Sequence, residues 1–74
     1  MEPNLETLRR RVVDQLKPKY QTSLRRGRAP DEAYETAYDK AVDALAKATK
    51  VSREKTRFES RGLLQEIMNE VSRG

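Results

Sequence analysis

Apolar residues recur at helical spacing almost from the start of this chain. Leu5, Leu8, Val12 and Leu16 fall 3, 4 and 4 positions apart, which places them on one stripe of an amphipathic helix. A helix is therefore expected over residues 4–16, with Asn4 as its N-cap. Pro18 lacks the N–H that would continue the ladder and disfavours helical geometry at Lys17, so this helix is expected to end near Leu16. Tyr20 and Leu24 keep the four-residue spacing. Residues 17–29 thus read as a basic connector, looped or carrying a short helical piece between Pro18 and Gly27.

Pro30 suits a first helical turn, and Asp31 and Glu32 complement the positive end of a helix dipole, so a second helix is expected over residues 30–49. Tyr34, Tyr38, Ala41, Leu45 and Ala48 fall 4, 3, 4 and 3 apart, with Val42 alongside. Ala33, Ala37 and Ala44 widen this face enough to touch two neighbours, which makes this the central helix. A third helix is expected over residues 52–72, with Ser52 as N-cap. Its pattern changes along its length. At about 100° per residue, Leu63, Leu64, Ile67, Met68 and Val71 share one face while Val51 and Phe58 point nearly opposite. Either the helix breaks or bends at Gly62, which lies between the two sets, or one straight helix contacts two different bodies. The expected fold is a small three-helix all-α domain. At 74 residues it lies near the lower limit for folding alone, so a dimer is a natural complement.

Charge is distributed unevenly. The net charge is +4, but residues 1–28 hold eight bases against three acids, residues 29–49 two against five, and residues 50–74 six against four. Such alternation suits attraction between segments as well as attraction to an external polyanion. The acids Glu32, Glu35, Asp39 and Asp43 form a stripe of their own, read as a solvated face because oxygen ligands from one helix face converge poorly on a metal. With no His, no Cys and three isolated glycines, no nucleophile-and-base constellation or phosphate-cradling loop can be assembled. The chain is expected to be non-enzymatic, with no cofactor, no metal and no evident small-molecule substrate. Neither an apolar leader nor a run of about 20 apolar residues is present, so no membrane span is expected and a cytoplasmic location is.

Lys50, Arg53, Arg57 and Arg61 fall 3, 4 and 4 apart, a spacing that lines cations along one side of a helix. They lie in a stretch, residues 44–64, with the order of a helix-turn-helix: a helix carrying Leu45 and Ala46, a turn ending at Val51-Ser52, and a second helix from Arg53. The words VSREKTRF and RGLL resemble the start of the DNA-binding domain of MerR-type regulators. That resemblance implies DNA binding through the second helix. The chain departs from the family's pattern at Lys50, where the turn usually holds Gly, and at Thr56 and Glu59, where buried apolar residues are expected. Between Phe58 and RGLL it is one residue shorter.

Two functions follow as expectations. The first is a small regulatory or adaptor protein that binds another protein or its own copy through a helix face, with Tyr34, Tyr38, Leu45, Phe58 and Met68 as contact residues. The second is a nucleic-acid-binding regulator in which Lys50, Arg53, Arg57 and Arg61 meet phosphates, aided by Arg25, Arg26 and Arg28. The RRGR segment, residues 25–28, suits a phosphate, an acidic protein or the chain's own acidic helix equally well.

Overall fold

The computed structural model describes residues 4–73. They form four helices: α1 (Leu5–Arg25), α2 (Pro30–Thr49), α3 (Arg53–Glu59) and α4 (Arg61–Ser72). The all-helical class and the bounds of α2 are as expected. The connector and the helix count are not.

α1 begins where its cap predicts, with the Asn4 side chain accepting from the Glu6 N–H at 2.9 Å. It then runs straight through Pro18 to Arg25, so residues 17–25 are helix and not connector. An interior proline costs roughly 3 kcal/mol, and two features offset it. Pro18 and Asp14, whose carbonyl loses its partner, are both exposed and so reachable by water. Continuing the helix also keeps Tyr20 packed against the core. The end comes at Gly27, where φ is +88°. There the Arg28 N–H reaches back to the Ser23 carbonyl and the Gly27 N–H to that of Leu24, both at 3.1 Å. This pattern satisfies the last carbonyls and needs a left-handed residue, which glycine supplies without strain.

The third expected helix is two. α3 and α4 meet at Ser60, whose φ of −106° and ψ of 20° depart from helical values. The ladder still passes nearly through it: the Ser60 N–H donates to Thr56 and its carbonyl accepts from Leu64, each at 2.9 Å. The change of direction therefore falls two residues before Gly62, which sits inside the first turn of α4. A side chain at Gly62 would meet nothing within 4 Å, so the bend does not depend on glycine.

Val12, Val42, Leu45, Leu64, Ile67, Met68 and Val71 are each less than 2% exposed and form the centre of the core. Burying side chains of this size stabilises by about 1.5–3 kcal/mol apiece. α1 and α2 form an antiparallel hairpin, and α4 lies against both, parallel to α1: Leu5 shares a groove with Leu63, Arg9 bonds Glu70 at 2.8 Å, and Arg73 reaches the level of Lys17. α4 thus covers one half of the hairpin. The other half projects as a two-helix end, which gives the molecule its 40 × 22 × 17 Å shape. α3 packs on α2 and α4 and leaves α1 untouched.

Candidate functional site

The five residues expected to meet a protein partner are divided by the fold. Leu45 and Met68, 1% and 0% exposed, are core residues. Their side chains hold the helices together and present nothing to a partner, because the half-circumference apolar face of α2 is covered from both sides by α1 and α4. Tyr34 and Tyr38 are half-buried and packed against that core. Ala48, expected on the same buried stripe, is exposed on the last turn of α2. Phe58 is different. It is 77% exposed on a seven-residue helix whose single buried side chain is Thr56. Its neighbour across Ser60 is Arg61, with the guanidinium carbon 6.0 Å from the ring centroid, at the outer edge of cation–π distance.

Three local devices hold α3 in place. The Ser52 hydroxyl accepts from the Lys55 N–H at 3.2 Å, which caps the helix. Thr56, 2% exposed, donates its hydroxyl to the Ser52 carbonyl at 2.9 Å, so its burial leaves no orphan polar group. Arg53 and Arg57, one turn apart, both donate to Oδ1 of Asp39 on α2, at 2.6 and 2.7 Å. The hydrogen bond from Arg53 first, and then the charges of both arginines, hold the Asp39 carboxyl below its ordinary value of 3.8 against partial loss of water. In the sequence Asp39 is only one member of the acidic stripe expected to be a solvated face. Its role depends on α3 folding back along α2, and residue spacing within α2 carries no trace of that.

The same geometry distributes the basic stripe over three elements. Arg53 and Arg57 lie on α3 and are turned toward Asp39, while Arg61 belongs to α4 and Lys50 precedes α3. Lys50 instead takes the left-handed conformation, φ 59° and ψ 37°, at the end of α2, and the Val51 N–H bonds the Ala46 carbonyl at 3.2 Å. It therefore performs the glycine's role in the turn, at the cost a side chain incurs there. Arg25, Arg26 and Arg28 are exposed at the N-terminal end of α2, a helix length of roughly 30 Å from Lys50 at 1.5 Å per residue, whereas Arg57 reaches back to Asp39 in the middle of that helix.

Among the described residues, no three His, Cys, Asp or Glu side chains converge on a metal position, and no helix is long and apolar enough to cross a membrane. Compared with protein-family models, curated proteins and solved structures, the chain matches none.

Proposed function

We propose that this chain is a non-catalytic regulatory or adaptor protein that acts by helix-mediated contact, with α3 as the contacting helix and a second copy of the chain as its partner. The observation that carries this reading is Phe58, 77% exposed on a helix otherwise polar. Aromatic side chains of this kind, ringed by polar groups, anchor protein contacts when they reach a partner's pocket. Phe58 is flanked by Glu54 and Lys55 one turn before and by Arg61 one turn after. Beside it stand Glu59 on one side and Arg57, already paired with Asp39, on the other, which leaves two acids and two bases around it unpaired among the described residues. Two acids and two bases suit neither an acidic nor a basic partner. They suit a copy related by a twofold axis, which can bring the opposite sign to each.

The contact area on one short helix is small, so association is expected to be concentration-dependent. Light scattering across a concentration series tests it. The mass should rise from the 8.6 kDa monomer toward twice that value. Phe58→Ser should remain monomeric with its helicity intact, because the side chain contributes little to the fold. A monomer at every concentration, or a dimer indifferent to Phe58→Ser, would overturn the reading.

A second reading, DNA binding, is favoured by one observation: the left-handed Lys50 turn joins α2 to α3 in helix-turn-helix order. Arg53 and Arg57 are about half exposed, and surface ion pairs are worth little, so both can leave Asp39 for phosphates. A salt titration with mixed-sequence DNA decides. Each phosphate contact contributes about one unit to the slope of log affinity against log salt, and Arg53→Ala with Arg57→Ala should remove about two. No binding at low salt eliminates this reading.

A further inference from the structure

The two-helix end beyond the reach of α4 contains a small cleft of about 80 Å³. Lys19, Tyr20 and Ser23 of α1 form one wall, Thr36 and Lys40 of α2 the other, and Arg28 in the turn closes the end. Its floor includes Ala33 and Ala37, whose small side chains leave the space open.

The lining of this cleft is cationic and hydroxyl-bearing, with no acidic residue among it. Lys19, Arg28 and Lys40 form no ion pair among the described residues. The side-chain hydroxyls of Tyr20, Ser23 and Thr36 make no hydrogen bond among the described residues either. The grooves between α1 and α4, beside Asp39 and near Asn4 each have at least one carboxylate in their lining; this cleft has none.

We propose that this cleft binds a phosphate dianion, either inorganic phosphate or the terminal phosphate of a monoester. Three cations and three hydroxyl donors around one small space match the acceptor oxygens of a tetrahedral oxyanion, and hydrogen bonds with both charges present are the strong ones. The volume accommodates one such group and no attached ring system. A phosphodiester is a poorer fit: it carries one negative charge, and two of its oxygens are esterified. The site is lined by α1, the turn and α2, with no residue of α3 among its lining, so it does not rest on the dimer proposed above.

An NMR titration of the full chain at constant ionic strength tests the proposal, with sodium phosphate, glycerol phosphate and dimethyl phosphate as separate ligands and chloride as the balancing ion. The expected result is saturable shifts confined to Lys19–Lys40 with the first two ligands and weaker ones with the third. Tighter binding of inorganic phosphate identifies the free ion as the ligand; tighter binding of glycerol phosphate identifies a monoester. Lys19→Gln and Lys40→Gln, both at exposed positions, should each weaken binding about tenfold, while Arg10→Gln on the outer face of α1 should not change it. Shifts that never saturate, that spread over every exposed cation, that survive both lysine substitutions or that are equal for dimethyl phosphate would overturn it.

Discussion

α3 and α4 are consecutive pieces of one helix-forming stretch, separated by Ser60, and they are held in opposite ways. α4 buries Leu64, Ile67, Met68 and Val71 completely and has no side-chain hydrogen bond at its N-terminus. α3 buries Thr56 and is held by a cap, a back-bonded hydroxyl and a shared carboxylate. An isolated seven-residue helix is unstable in water, so α3 exists because its ends and one face are tied down. Apolar burial makes α4 part of the cooperative core. Local polar ties make α3 the element that can open alone, and it is also the element that carries the exposed Phe58.

The comparison breaks most visibly on the α4 side. Ile67→Ala should destabilise the whole domain by about 2–5 kcal/mol, the range for emptying a buried aliphatic site, and thermal unfolding followed by circular dichroism measures it. Ser52→Ala should remove about 1 kcal/mol from α3, the typical worth of an N-cap. In hydrogen exchange that loss should appear at Lys55 and Thr56 while α4 stays protected; equal loosening of α4 would mean that the two helices open together. Lys50→Gly sharpens the contrast from the other side. It removes the side chain from a left-handed position and should stabilise the α2–α3 turn by less than about 1 kcal/mol, visible as a small rise in melting temperature.

The smallest expected effect is that of Asp39. Its carboxyl titrates below the value it has in the unfolded chain, so its contribution is present above the unfolded value of 3.8 and is lost as pH falls through the folded one. α3 should therefore loosen on acidification below about pH 4. Asp39→Asn should reproduce that loosening at neutral pH, and salt should partly mimic it. An α3 whose exchange is unchanged by all three treatments would show that the cap and Thr56 suffice.

How much of this was legible in the sequence follows the same division. α2 was readable to its ends because Pro30, the first-turn acids and an unbroken apolar spacing agree. α1 is longer than its proline predicts, because an exposed Pro18 and continued packing of Tyr20 outweigh the local bias. That difference hides the phosphate cleft: with residues 17–29 read as a connector, Lys19 and Lys40, or Ser23 and Thr36, are unrelated positions. In a hairpin that turns at Gly27–Pro30 they stand opposite each other. The change of apolar face near residue 60 is visible in the spacing, but glycine propensity points to Gly62, whereas the break falls at Ser60, between the buried Thr56 and Leu64. The partner-binding candidates mix core with surface because helical spacing cannot tell which apolar positions the chain covers itself; Phe58, out of phase with the apolar face of α4, is the one of the five that the fold leaves exposed.

Hydrogen exchange measured residue by residue at two protein concentrations tests the central claim most directly. α3 should exchange faster than α4 in dilute solution and gain protection around Phe58 as concentration rises, with α4 unchanged. An α3 as protected as α4 when dilute, and indifferent to concentration, would contradict the account.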